Sequence, residues 1–186
     1  VTWQAYTAST DSAISESGHY YLSKAVTARL NIAAGTDVVI DLNGINLTSG
    51  HRALVLKEGA TLSLLDFNGA GKVVGKGGKN WPGGVIYGEG ACNLNIYGGT
   101  YTYTPRADHT GKGSVIYVPA GSNVNIYGGS FDASAFNNTA ESFVGGAIAI
   151  ADSAESFTMS AGRVIGGAAY QGGAVFCGKG VSVEIT

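Results

Sequence analysis

The chain of 186 residues is long enough for one domain with a substantial core. Its 30 glycines accompany only 3 prolines, which excludes collagen, and 45% of its residues are hydrophobic, which excludes a disordered chain. The net charge of -2 gives no basic surface for nucleic acid or anionic lipid, and no apolar run reaches the ~18 residues of a membrane span.

The first predicted element is a short capping helix in the segment STDSAISESGHYYL, which starts at Ser9. Ala13 and Ile14 would face inward, and Gly18 would end the helix. We therefore expect residues 1–18 to form an N-terminal cap and residues 19–186 to form the coils of a single domain.

From Leu30 onward, a unit of short alternating runs separated by glycine recurs about six times. NLNIYGGTY at Asn93 and NVNIYGGSF at Asn123 are its clearest copies, and most units are spaced by 27 to 32 residues. Alternation with a period of two indicates half-buried strands. A strand repeat of this length predicts an all-β parallel solenoid of about six coils, rather than a propeller or a leucine-rich repeat.

Stacked units would place equivalent residues about 4.8 Å apart. In the first strand of each unit, the residues expected to point inward are Leu54, Ile86, Ile116, Ile148 and Val175. In the second strand, they are Leu62, Leu94, Val124, Phe157 and Val183, followed by Leu64, Ile96, Ile126, Met159 and Ile185. The paired glycines after Tyr97 and Tyr127 suit a sharp corner that needs a positive φ.

The two cysteines, Cys92 and Cys177, would lie about three coils or ~14 Å apart, which is too far for a disulfide. Both are expected to be free thiols. The final VSVEIT stops halfway through a unit, so we expect the chain to be a segment of a longer protein. Its open C-terminal coil is expected to favour end-to-end association.

The order YYLSKAVT, DVVIDLNGINLTSG, ALVLKEGATLSLLD, then GxIYVxxGxxxxIYGGxF and FTMSAGRVIGG, resembles the right-handed parallel β-helix regions of large surface proteins from Gram-positive bacteria. These regions belong to the pectate-lyase-like superfamily. The resemblance covers nearly the whole chain from about Gly18. It implies export, display at the cell surface or secretion, and a role in adhesion or polysaccharide binding.

An enzyme of that superfamily would need an Arg or Lys base with calcium-binding acidic residues, or two to three converging carboxylates. The predicted outward positions contain none of these carboxylates, since they are Ser63, Tyr87, Asn95, Tyr117, Asn125 and Thr158. Asp41 and Asp66 recur at equivalent places, where capping of turns is expected. We therefore predict no catalytic residue, metal site or cofactor.

Candidate ligand-binding residues lie in the connections after the third strand of each unit, which stacking should bring to one side. They are Lys79, Trp81, Arg106, Asp108, His109 and Glu141, with Lys112 and Tyr170 in the same set of connections. Trp81 beside Arg106 would suit a sugar ring that carries a carboxylate. The alternative is a set of flexible polar loops with Trp81 packed on the flank of the coil.

Two tyrosine pairs are predicted to form outward ladders, Tyr87 with Tyr117 and Tyr97 with Tyr127. Exposed ladders would make flat aromatic strips for pyranose rings or a partner surface. The alternative is that stacking of like residues only stabilises the strands.

The leading hypothesis is a non-catalytic, secreted or surface-displayed module for adhesion, with a polysaccharide or a host or cell-wall glycan as partner. The first alternative is a polysaccharide lyase or hydrolase whose catalytic residues lie on the connections or outside this segment. The second is a rigid spacer that presents another domain. No nucleic-acid partner and no membrane insertion are expected.

Overall fold

A computed structural model of the chain describes residues 1–78, 81–105, 112–140 and 143–186. Within these ranges the regular structure consists of strands without a helix. In chain order the strands are β1 (Trp3–Tyr6), β2 (Ser12–Ile14), β3 (Gly18–Leu22), β4 (Val26–Thr27), β5 (Leu30–Ile32), β6 (Asp37–Asp41), β7 (Asn46–Thr48), β8 (Leu54–Leu56), β9 (Thr61–Leu65), β10 (Lys72–Lys76), β11 (Ile86–Gly88), β12 (Asn93–Ile96), β13 (Thr100–Thr104), β14 (Ile116–Val118), β15 (Asn123–Ile126), β16 (Ser130–Asp132), β17 (Asn137–Asn138), β18 (Ile148–Ile150), β19 (Ser156–Met159), β20 (Arg163–Ile165), β21 (Ala168–Ala169), β22 (Val175–Cys177) and β23 (Ser182–Ile185).

The strands form three long parallel sheets and one short pair. Sheet A has the order β1-β3-β6-β9-β12-β15-β19-β23, sheet B the order β2-β5-β8-β11-β14-β18-β22, and sheet C the order β20-β16-β13-β10-β7-β4. Strands β17 and β21 pair separately. From β5 onward the chain visits sheets B, A and C in turn and then returns beside its previous strand, an order consistent with a parallel β-solenoid.

The predicted register of the repeats is confirmed. Leu54, Ile86, Ile116, Ile148 and Val175 are successive partners in sheet B. In sheet A, Ile96 lies directly opposite Ile126. These alternate positions face a continuous apolar core between the sheets, in which Leu54, Ile96 and Ile126 are fully buried.

Two residues of the predicted core are exposed. Val183 and Ile185 take the predicted register opposite Phe157 and Met159, but their exposed fractions are 49% and 63%. Strand β23 is the edge strand of sheet A, so the side chains of these residues are covered from one side only.

The predicted N-terminal helix is wrong. Ser12–Ile14 is strand β2, which extends sheet B by pairing with β5, and Gly18 opens strand β3 instead of ending a helix. Ile14 is buried as expected, whereas Ala13 is exposed. The physical reason is that a short helix carries a high nucleation cost, whereas the free edge of β5 offers ready hydrogen-bond partners, such as the carbonyl of Arg29 for the N–H of Ser12 at 3.1 Å.

The glycine corners are formed as predicted. Gly99 and Gly129 follow the last strand residues of β12 and β15 with φ values of +89° and +99°. A Cβ atom at Gly129 would lie 3.1 Å from the carbonyl oxygen of Gly99, so both conformation and space require glycine there. The corner directs the chain from sheet A into sheet C.

Candidate functional site

The main candidate site is a row of side chains on the outer face of sheet B, which we call the outward row. It consists of in-register residues of β8, β11, β14, β18 and β22, namely Val55, Tyr87, Tyr117, Ala149 and Phe176. Alternation places it outward, because the neighbouring residues Ile86, Ile116 and Ile148 fill the core.

The turns that precede these strands are built to approach the row closely. Gly83 and Gly113 have φ values of +69° and +61°. A Cβ atom at Gly113 would lie 2.1 Å from the carbonyl oxygen of Ile116 and 2.9 Å from the Cβ atom of Ala149. Glycine is therefore required at this turn, and the backbone forms a wall along the row.

A cation–aromatic stack occupies one end of the outward row. The guanidinium carbon of Arg52 lies 3.5 Å from the ring centroid of Tyr87 and 5.3 Å from that of Trp81. The Arg52 Nε donates a hydrogen bond to the carbonyl oxygen of Pro82 at 3.0 Å, which fixes the guanidinium over the ring. His51 adds a tilted ring 5.8 Å from Trp81. This end of the row combines aromatic faces with a positive charge.

Partial burial shifts the pKa values of two side chains at the row, Arg52 and Tyr117. Burial lowers the pKa of Arg52 below its ordinary value, and the neighbouring Tyr87 and Glu89 act in the opposite direction. The guanidinium remains charged at neutral pH. Burial also raises the pKa of the Tyr117 phenol, with Tyr87 adding to the effect. Tyr117 therefore presents a neutral hydroxyl group, which can donate and accept hydrogen bonds.

The middle of the row contains a recess. The rings of Tyr87 and Tyr117 are stacked, with centroids 5.9 Å apart and an interplanar angle of 18°. The next position is Ala149, whose small side chain leaves a cavity of about 110 Å³ between Tyr117 and Phe176. These two residues lie two strand spacings apart, about 9.6 Å. Lys112 and Asp152 line the same recess and provide a donor and an acceptor.

The second predicted tyrosine pair lies on the outer face of sheet A. The ring centroids of Tyr97 and Tyr127 are 4.8 Å apart, with an interplanar angle of 17°. Their exposed fractions of 49% and 46% leave both rings accessible. The structure thus shows both tyrosine pairs as stacked, outward ladders.

Beside this pair, sheet A carries two ladders of polar side chains. Asn123 donates from Nδ2 to Oδ1 of Asn93 at 3.1 Å, and Asn125 donates to Asn95 in the same way at 3.0 Å. Thr61, Ser63, Ser156 and Thr158 extend these ladders at both ends with hydroxyl groups. The outward polar side chains of β9, β12, β15 and β19 therefore bond to one another along the outer face of sheet A.

The carboxylates at the turns have structural partners. The Asp41 Oδ1 atom accepts hydrogen bonds from the N–H groups of Asn43 and Phe67 at 2.8 and 3.1 Å. The Asp66 carboxylate accepts from Gly44 and Gly71 at 2.8 and 2.7 Å. Both cap turns as predicted, but they are offset by one position, because Asp41 lies opposite Leu65.

Only part of the predicted loop site is described. Lys79, Arg106, Asp108, His109 and Glu141 lie outside the described residues, and so does the expected contact of Trp81 with Arg106. Trp81 is 38% exposed and packs against His51 and Arg52. Lys112 lines the recess, and Tyr170 is 51% exposed. Sequence reasoning missed Arg52, Ala149 and Phe176.

Metal sites, membrane-spanning helices and the two thiols complete the description of the candidate sites. Among the described residues, no group of three or more His, Cys, Asp or Glu side chains is arranged to hold a metal ion. The same residues contain no helix of the length and apolarity that crossing a membrane requires. Cys92 and Cys177 are free, as predicted.

Comparison with known proteins places the chain in no family. No protein-family model matches it, and neither a curated protein nor a solved structure matches it significantly.

Proposed function

We propose that this chain is a non-catalytic binding module for polysaccharide and that the outward row, with Trp81 and Arg52, is its contact surface. The observation that carries the proposal is the continuous stack of Trp81, Arg52, Tyr87 and Tyr117. Sugar rings present apolar faces that pack on aromatic rings, and their hydroxyl groups pair with charged and polar groups at the edges.

The parallel sheets support this role because they hold the row rigid. The strands of the row are paired in register from β8 to β22, so little ordering of the protein would be needed when a glycan binds. The recess between Tyr117 and Phe176 adds a depression in which Lys112 and Asp152 supply polar groups for sugar hydroxyls. Tyr97 and Tyr127 on sheet A form a second, separate aromatic surface for the same class of ligand.

The proposal extends to fold and location. We infer a right-handed parallel β-helix of about six coils of the pectate-lyase-like kind, in a secreted or surface-displayed protein of a Gram-positive bacterium. The three parallel sheets and their strand order support the β-helix, and the sequence resemblance described above supports the location and the adhesive role.

A glycan array followed by calorimetry tests the binding surface. We expect the chain to bind a polysaccharide, and Trp81→Ala and Tyr87→Ala to weaken that binding by about tenfold or more. Trp81→Ala removes an exposed aromatic contact, and Tyr87→Ala removes the ring over which the Arg52 guanidinium lies. Lys24→Ala is the control, because Lys24 is exposed and lies outside the outward row, both ladders and the candidate connections. Tyr97→Ala reports on the second surface.

Four results would contradict the proposal. Absence of glycan binding would favour a rigid spacer. Binding that survives both Trp81→Ala and Tyr87→Ala would place the contact surface elsewhere, and loss with Tyr97→Ala alone would move it to sheet A. Turnover of polygalacturonate with absorbance from unsaturated ends would establish a lyase.

A further inference from the structure

A further aromatic site, distinct from the Tyr97–Tyr127 pair, lies on the outer face of sheet A at the opposite end of the sheet from β23. Trp3 of β1, Tyr21 of β3 and Asp41 of β6 line a cleft of about 300 Å³, together with Asn43 and Phe67 in the adjacent turns. Tyr21 lies directly opposite Asp41 in the sheet register. We call this group the aromatic–acid cleft.

The aromatic rings of the cleft form a corner. The ring centroids of Trp3 and Phe67 are 6.3 Å apart with an interplanar angle of 72°. Phe67, in the turn after β9, is 73% exposed, which is unusual for a large apolar ring. Ring faces carry negative electrostatic potential, so a corner of aromatic rings attracts a cation.

A carboxylate lies at the base of this corner. Asp41 is only 7% exposed, and its Oδ1 atom accepts a hydrogen bond from the backbone N–H of Phe67. The acidic side chain thereby fixes the position of the exposed ring. Among the described residues, the ion pairs are Arg29 with Asp11 and Lys57 with Glu89, so neither Asp41 nor the neighbouring Asp66 is paired with a cation.

We propose that the aromatic–acid cleft binds an organic cation whose charged group is a quaternary ammonium, such as the trimethylammonium of choline. Three rings and one carboxylate provide the chemistry that recognises such a group, which has methyl groups for the ring faces and a positive charge for Asp41. An anion would be repelled by the Asp41 carboxylate. A neutral apolar group would leave the negative charge of Asp41 without a counterion. A hard metal ion would need six or more oxygen ligands.

The site is independent of the proposed polysaccharide surface, because it shares no residue with the outward row. The trimethylammonium group can come from a soluble small molecule, a decorated polymer or a choline lipid. All three present the same chemistry to the cleft, so the first experiment uses choline alone and the second compares its sources.

Choline titration followed by NMR of the tryptophan indole N–H groups tests the proposal. The chain contains two tryptophans, and Trp81→Phe assigns their signals. We expect choline to shift the Trp3 signal with a Kd on the order of 1 mM and to leave the Trp81 signal in place. The neutral isostere 3,3-dimethyl-1-butanol has the same shape without the charge, and it should bind about tenfold more weakly or not at all.

Two variants test whether the carboxylate charge and the exposed ring of the cleft contribute to choline binding. Asp41→Asn keeps an oxygen that can accept the bonds from Asn43 and Phe67, so it should preserve the turn and weaken choline binding by about tenfold. Phe67→Ala should weaken binding similarly. The matched control is Asp132→Asn, because Asp132 caps a turn through the N–H of Ser134, 2.9 Å away, but does not line the cleft.

The proposal is overturned if choline fails to shift the Trp3 signal up to about 50 mM, or if the neutral isostere binds as tightly as choline. It is also overturned if Asp41→Asn binds choline like the unaltered protein. If choline binds as expected, co-sedimentation with phosphatidylcholine vesicles and with a phosphocholine-bearing polymer then identifies the source that the cleft accepts.

Discussion

At the scale of single residues, Arg52 shows how one side chain changes a repeated surface. The positions equivalent to Arg52 in the following units are Gly84, Ser114, Gly146 and Gly173, as the strand register shows. A long side chain at this position can fold back over the outward row, where its guanidinium lies 3.5 Å from the Tyr87 centroid. Arg52 thereby adds a positive charge to this end of the row.

Cys92 is expected to make stability depend on pH. Burial raises the pKa of Cys92 from an ordinary value of 9.0 to about 11, while its hydrogen bond with Ser122 acts in the opposite direction. Between these values the unfolded chain releases the thiol proton and the folded chain retains it. The contribution of the protonated Cys92 thiol to the free energy of unfolding is therefore fully present below pH 9.0, and it is lost as the pH rises towards about 11.

Urea unfolding of the unaltered protein and of Cys92→Ala at about pH 8 and about pH 10.5 measures this effect. We expect the unaltered protein to lose about 2 kcal/mol more of its free energy of unfolding over this interval than the variant does. Equal losses in the two proteins would show that Cys92 ionises alike in the folded and unfolded chains.

At the scale of elements, the polar ladders bind neighbouring strands of sheet A to one another. Asn125 donates to Asn95 and accepts from Thr158, with bonds of 3.0 and 2.8 Å. The four side chains of each ladder are half-buried, so water competes only partly for these bonds. The ladders therefore add side-chain bonding to the backbone pairing of the strands.

A double-mutant cycle on Asn95 and Asn125 tests this contribution. We expect Asn125→Ala to lower the free energy of unfolding by about 1 kcal/mol, because two hydrogen bonds are lost. The coupling energy with Asn95→Ala should be about 0.5 to 1 kcal/mol. Asn46→Ala, at an exposed asparagine of β7, is the control and should change stability by less than about 0.5 kcal/mol. A coupling energy near zero would mean that the ladder bonds do not stabilise the sheet.

The repeats made the paired strands predictable from sequence, because a residue that recurs every 27 to 32 positions identifies its own neighbour. The parts that do not recur were missed or wrong. Residues 12–14 occur in a segment without a copy, so their pairing with β5 had no counterpart in the sequence pattern. Trp3 of β1 and Phe67 of the turn after β9 meet only through tertiary packing, which spacing along the chain does not reveal.

At the scale of the whole molecule, the edge of sheet A at β23 combines free backbone groups with exposed apolar side chains. Val183 and Ile185 are 49% and 63% exposed on this strand. Parallel sheets are normally covered on both sides, and an uncovered edge strand is a template for further pairing.

We expect the chain of 186 residues to self-associate through this edge as its concentration rises. Sedimentation equilibrium should show an increasing average mass for the unaltered protein, and Val183→Lys with Ile185→Lys should keep it monomeric. Ser182→Lys is the control, because it adds a charge to the same strand at a position that alternates with the two apolar residues. An unaltered protein that stays monomeric at every concentration would disprove this expectation.

The uniform direction of the asparagine bonds has a consequence for how such a gene can change. The Nδ2 group of Asn123 donates a hydrogen bond to Oδ1 of Asn93, and the Nδ2 group of Asn93 donates in the same direction to the hydroxyl oxygen of Thr61. A deletion of residues 93–122 would therefore bring Asn123 beside Thr61 with a compatible donor and acceptor, and a duplication of that stretch would be equally tolerated. The polar ladder on the outer face would thus stay paired when the chain changes its length by one whole unit.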